Sequence, residues 1–204
     1  MYLQAAFRED DLAAMHAAMR ATNLMTLVTQ GADGLQASHV PILLDDTKGD
    51  QGTLTGHLSR ANEQWRKTDT DLPALAMFQG PDAYVSPGWY ATKREHGKVV
   101  PTWNYVAVHA HGSIRFLDDR ETLRDIVTAL TDRHEAGRAE PWAVTDAPDD
   151  YVNAMLNSIV GFEFAIERLE GKWKMSQNRN EADRRGVVDG LKEVGCSGEL
   201  NVAD

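Results

Sequence analysis

A chain of 204 residues, 42% hydrophobic and 25% charged, can bury one sizeable core, and no apolar run approaches the roughly 20 residues needed to cross a bilayer. Its formal charge of −10 opposes attraction to nucleic acid, which rests largely on Lys and Arg neutralising phosphates. The single cysteine, Cys196, can form no internal disulfide, and the start "MYLQAAFREDD" has no basic-then-apolar leader, so a reducing, cytoplasmic setting is expected.

The spacing of Leu12, Met15 and Met19 predicts a helix over 8–21, with acids in its first turn. Strand-like runs follow: "NLMTLVTQ", then "LQASHVPILL" after a turn at "GADG", then "TLTGHL" after "DDTKGDQG". The polar segment "SRANEQWRKTD" reads as a short helix, "ALAMFQG" as a fourth strand, and "AYVSPGWYATKREHG" as a long loop. A fifth strand runs through "GKVVPTWNYVAVHAHG" to about Phe116. Two helices, 119–135 and 149–159, form an insertion of about 119–158. "VGFEFAIERL" alternates as a last strand that "GKWKMSQN" continues. A terminal helix of about 180–194 is expected to be interrupted at Gly186 and Gly190, before a loose tail, "GCSGELNVAD". Hairpin-spaced strands with one helical excursion predict a single domain over 1–204, mainly β with flanking helices (α+β), built on a small antiparallel barrel. The sequence contains no G-x-G-x-x-G, Walker, H-E-x-x-H or G-x-S-x-G signature.

Five stretches carry chemistry, each with a plainer structural alternative. Ser38 and His39 interrupt an apolar strand just before Pro41, as a bulge beside a site does, or as a simple kink does. In "TGHLSRAN", Ser59, Arg60 and Asn62 cluster after a strand-ending glycine; the group suits a phosphate, or Ser59 caps a helix and Arg60 is solvated. Thr102, Trp103 and Asn104 offer a hydroxyl, a flat face and an amide to a heteroaromatic ring, or a core indole beside a cap. His109 and His111 share one strand face, about 7 Å apart. With no further ligand evident, they are assigned as hydrogen-bonded sheet residues and no metal site is expected. In "GKWKMSQNR", Lys172 and Lys174 face the same way and precede Ser176 and Gln177, as a second anion-binding arm or a solvated face. Together the stretches suit a flat aromatic phosphate.

In order and spacing, "SHVPILL", "GHLSRANEQW", "FQGPDAYVSPGWY", "KVVPTWNYVAVHAHG", "DAPDDYVNAMLNSIVGFEFAI" and "EGKWKMSQNR" resemble the PaiB-type family. That family is described as FMN-binding negative transcriptional regulators, or protease-synthase and sporulation repressors. The resemblance covers Met1 to about Leu191. Gln4 departs from the family's proline, and His111 stands where an aromatic residue is more usual. The family looks like a branch of the FMN-binding split-barrel superfamily, alongside pyridoxamine-phosphate oxidases and flavin reductases.

The resemblance implies a split β-barrel homodimer with FMN in the groove between subunits. It places Ser38 and His39 near the flavin, Thr55, Gly56 and His57 at its ring, and Ser59, Arg60 and Asn62 on the phosphate side. Thr102, Trp103 and Asn104 then line the ring or groove, and Lys174, Ser176 and Gln177 reach in from the partner. It implies a flavin-linked negative regulator. Without a helix-turn-helix or basic recognition helix, contact with DNA is expected to be indirect or through a partner. An FMN-dependent oxidoreductase or flavin reductase using a reduced nicotinamide is the alternative. No residue is assigned as catalytic there, and His57 is the best placed. A haem or metal binder using the histidines is the third reading.

Overall fold

Side chains alternate cleanly along the strands of the computed structural model, which is described for residues 1–195. In β2 (Met25–Gly31), Met25, Leu27 and Thr29 are buried while Thr26 and Val28 stay half open. The same period of two runs through β3 (Gly34–Val40), β5 (Thr53–Ser59) and β7 (Thr102–Leu117), and through the middle of β8 (Ile159–Lys174), where Phe162, Phe164 and Ile166 are buried. With β1 (Arg8–Glu9), β4 (Ile42–Asp45) and β6 (Ala74–Val85), these form an eight-stranded sheet ordered β3-β2-β6-β7-β8-β5-β4, with β1 paired to β8. The pairs β2–β3, β2–β6, β4–β5, β5–β8 and β1–β8 are antiparallel. The fold class is the expected mixture of α and β.

The chain packs as two compact units. One comprises 19–78 and 109–169. Here Pro41 separates β3 from β4, and the chain changes partners across it, from β2 to β5. Proline has no N–H for a ladder, so a partner change is where it fits. Leu27, Leu54, Phe78, Phe162 and Phe164 are fully buried. The insertion is α4 (Arg120–Glu135) and α5 (Asp149–Leu156), whose Leu123, Val152 and Leu156 pack with Val144 into a separate apolar cluster. Asp119 caps α4 by accepting from the Thr122 N–H at 2.9 Å.

The other unit comprises 1–18, 79–108 and the chain from Glu170. Its core joins Ala83, Val85 and Tyr90 to Val187 and Leu191 of α6 (Glu181–Val194). Asn180 caps α6, and buried Asp183 accepts from the backbone and hydroxyl of Thr92 at the start of α3 (Thr92–His96).

Four sequence expectations are corrected. The helix over 8–21 is β1 followed by α1 (Leu12–Ala21), because Arg8 and Glu9 pair with Lys172 and Gly171. The helix over 59–69 shrinks to α2 (Gln64–Lys67): Ser59 is still in the β5 ladder, and the Arg60 N–H donates to Ser158 O at 2.8 Å. The loop over 83–97 begins as strand, since Ala83 and Val85 face inward despite Pro81, and it contains α3. The helix α6 is uninterrupted. A Cβ at Gly186 would lie 2.0 Å from Trp89 O, and one at Gly190 2.3 Å from Trp89 Cδ2, so these glycines form the notch that receives Trp89. Cys196 and the tail beyond it lie outside the described residues.

Candidate functional site

In the unit holding 79–108, β7 starts at Thr102, directly after Pro101. Alternation sends Asn104 inward, 2% exposed, and leaves Trp103 52% exposed. The Trp103 ring meets Tyr84 edge-to-face, with centroids 5.7 Å apart. β8 ends at Lys174, and Ser176 then turns the chain with φ 61°, the one left-handed non-glycine among the described residues. The Ser176 hydroxyl donates to Asn104 Oδ1 at 2.9 Å. Lys174 Nζ donates to Thr102 Oγ1 at 2.6 Å and to the Trp103 carbonyl. Gln177 donates to the Trp173 carbonyl and accepts from the Met175 N–H at 2.6 Å. Thr102, Trp103, Asn104, Lys174, Ser176 and Gln177 therefore meet within one chain.

Two more cations stand in this group. Lys172 is 8% exposed; its Nζ donates to Tyr2 O at 3.0 Å and lies 5.2 Å from the centre of the Tyr105 ring. The Arg179 guanidinium lies 4.5 Å over Tyr90, and its backbone N–H donates to Ser176 O. Among the described residues no carboxylate is at ion-pair distance of Lys172, Lys174 or Arg179. Burial, and then the charges of Lys172 and Arg179, pull the Lys174 pKa below its ordinary value. This is a cationic cluster with no counter-ion among the described residues, next to an exposed indole. Arg179 is part of the "SQNR" stretch, yet it went unassigned in the sequence because an arginine after a turn looks like a solvated one.

In the other unit the "TGHLSRAN" stretch holds itself together. Arg60 donates Nε to Asn157 O at 2.9 Å and Nη2 to Ile159 O at 2.8 Å, and it forks onto the Asp118 carboxylate. That hydrogen-bonded pairing raises the Arg60 pKa and lowers that of Asp118. Asn62 Nδ2 donates to Ser38 Oγ at 2.8 Å, and Ser38 donates to buried Gln64. Gln64 in turn reaches Thr29 Oγ1 at 3.0 Å and the Leu27 carbonyl at 3.3 Å. His39 Nδ1 is 3.0 Å from Thr26 Oγ1. Ser59 is exposed and accepts from the Ala61 N–H.

Thr55, His57 and Ser59 share one face of β5; Gly56 is on the other, with no room for a Cβ against Phe162 and the Pro41 carbonyl. Burial lowers the His57 pKa, so the ring is neutral at neutral pH. Gln64 and Asp118, the partners that organise this stretch, were not identified from sequence. A glutamine two residues beyond Asn62 has no signature of burial, and Asp118 is remote in the chain. His109 and His111 are half-buried on β7, and both are partnered.

Comparison with known proteins shows the family to which the chain belongs. Residues 1–168 match the family model described as "Putative FMN-binding domain". The chain is 36% identical over 167 residues to the protease synthase and sporulation protein PAI 2 of Bacillus subtilis, covering 82% of this chain and 77% of that one. It is 34% identical over 248 residues to an uncharacterised protein of Aspergillus fumigatus, covering 100% of this chain and 95% of that one. The flavocytochrome Anf3 of Azotobacter vinelandii shares its fold, with a TM-score of 0.60 at 12% identity over 90% of this chain and 78% of that one. The split-barrel fold expected from sequence is the one these neighbours have.

Proposed function

We propose that this chain, a member of the PaiB-type family of FMN-binding domains, holds FMN as a flavin-linked negative regulator and takes the FMN phosphate at Lys174 and Arg179. One observation carries the reading: among the described residues, Lys172, Lys174 and Arg179 stand together without a carboxylate at ion-pair distance, beside a half-exposed Trp103. The Arg179 guanidinium keeps its planar fork of donors, which matches two phosphate oxygens. Lys174 uses two of its three N–H donors on Thr102 and Trp103 and keeps the third. The Trp103 face suits an isoalloxazine or the groove beside it. When bound, FMN supplies the hydride and electron chemistry, while the chain binds and orients it.

The regulatory assignment is supported by the Bacillus relative, which is named a protease synthase and sporulation protein, and the flavin by a neighbour named a flavocytochrome. The homodimer implied by the split-barrel resemblance belongs to the same proposal. With a charge of −10, control of DNA is assigned to an indirect route or a partner.

Fluorescence titration with FMN and with riboflavin tests the cofactor site. Each charge-assisted bond contributes about 1.5–3 kcal/mol, or about one to two decades in affinity. Arg179→Ala and Lys174→Ala should each weaken FMN by about that factor and leave riboflavin nearly unchanged. No flavin binding by the unmutated protein overturns the proposal. Anaerobic mixing of the FMN-loaded protein with a reduced nicotinamide tests the role: a regulator leaves the flavin absorbance standing, and rapid bleaching assigns an oxidoreductase instead.

A further inference from the structure

The helical insertion roofs an apolar cavity of about 250 Å³ whose floor is β5 and the start of β8. Val127, Val144, Val152, Leu156 and Ile159 line it, with Trp142 at its side. A second cavity, of about 310 Å³ and reaching Pro41, shares His57, Val127, Thr131 and Trp142 with the first. The only imidazole common to both is His57. Its Nδ1 is sealed from solvent and has no hydrogen-bond partner among the described residues.

That sealed nitrogen decides the tautomer. A buried N–H without an acceptor is the rarer and costlier defect, whereas a lone pair without a donor is better tolerated. The proton of the neutral ring therefore belongs on Nε2, the other nitrogen of a ring that lines both cavities. His57 presents one donor to a mainly apolar first cavity, whose other polar side chains are Thr131 and Tyr151; His134 and Glu135 line the second. A cavity of about 150 Å³ lined by aliphatic and aromatic side chains holds benzene, so the larger space here suits a bicyclic ring or a chain of similar bulk. No lysine or arginine lines either cavity, which disfavours an anion.

We propose that this cavity is a ligand site for a small, uncharged, mainly apolar molecule carrying one hydrogen-bond acceptor, which takes the proton of His57 Nε2–H. The site shares no residue with the Lys174 and Arg179 phosphate site, and it gives His57, which the resemblance places at the flavin ring, to a different ligand. It would let an apolar effector be read by a flavin-linked regulator.

Calorimetric titration of the full chain with 1-indanone, and with indane as the same frame lacking a carbonyl, tests it. Saturable binding of one indanone per chain is expected, about tenfold tighter than indane. His57→Phe should bring the two affinities together. Thr131→Trp and, separately, Met155→Trp should fill the space and abolish binding of both, with circular dichroism confirming the fold. Binding of neither probe to the unmutated protein overturns the proposal, as does binding that survives both filling variants. A change of oligomeric mass on filling, with no probe binding, identifies the space as a contact between copies and overturns it too.

Discussion

Ser176 holds Asn104 from a left-handed backbone: at φ 61° its hydroxyl donates across 2.9 Å to an amide that is 2% exposed. The bond ties the end of β8 to the start of β7, the two segments that present Lys174 and Trp103. Left-handed non-glycine residues cost of order 1–3 kcal/mol and cluster at functional sites.

Two substitutions separate the bond from the strain. Ser176→Ala keeps the strained backbone and strands the Asn104 oxygen, so it should lose about 1–3 kcal/mol. Ser176→Gly also loses the bond but relieves the left-handed cost. The expected order of urea midpoints is wild type, then Gly, then Ala. An Ala variant as stable as wild type would show that the bond does not hold the turn.

Arg60 is expected to act as a clamp. Its donors already reach Asp118 and the carbonyls of Asn157 and Ile159, so a phosphate would have to displace them. Arg60→Ala should weaken FMN and riboflavin by the same factor and lower the unfolding midpoint. Arg60→Lys should not restore either, since an ammonium cannot reproduce the fork. A loss confined to FMN would return the phosphate to Arg60.

A homodimer is expected in solution. Leu35 is 74% exposed and Val100 65%, and the resemblance puts the cofactor groove between subunits. Light scattering at micromolar concentration should give twice the 22.6 kDa chain mass, and a monomer mass would remove the dimer from the proposal.

What sequence revealed was set by period and by local partners. β2, β5 and β8 are legible because their inward residues recur every second position. The "PTWN" and "KMSQ" stretches are legible as polar interruptions of strands. Their meeting is not legible, because Thr102 and Lys174 are brought together by strands remote in sequence. The "SRAN" pattern suits a phosphate, yet Ser38, Asn62 and Gln64 use their polar atoms on one another. A sequence shows donors, and only a fold shows which are already taken. Gly186 and Gly190 misled for the same reason: helix propensity marks them as breaks, whereas Trp89 needs the space.

Those glycines give a contest of two effects. Ala in place of Gly gains about 1 kcal/mol of helix propensity. Against this, a Cβ at Gly186 would overlap the backbone oxygen of Trp89, which cannot swing aside, and overpacking costs about 1–3 kcal/mol or more. Gly186→Ala should therefore be net destabilising, and Gly190→Ala should displace the Trp89 ring. At about 2–4 °C per kcal/mol for a chain of this size, a fall in Tm of several degrees is expected. A rise in Tm for Gly186→Ala would mean that α6 does not dock on Trp89.

Glu163 gives the clearest pH signature. It is 14% exposed, accepts from Arg115 Nε at 3.0 Å, and takes a second bond from Lys48 Nζ. The bond from Arg115, aided by Lys48 and opposed by burial, lowers its pKa below the ordinary glutamate value. The unfolded chain, whose glutamate titrates near its ordinary value of about 4.3, takes up the proton first as pH falls. The stabilisation is thus full above that range and is lost as pH drops through the folded value. Glu163→Gln should be less stable than wild type at neutral pH, with the gap closing as pH falls below the ordinary glutamate range. Urea midpoints measured across that range check it. A gap that stayed constant in acid would assign Glu163 to packing rather than to its two cations.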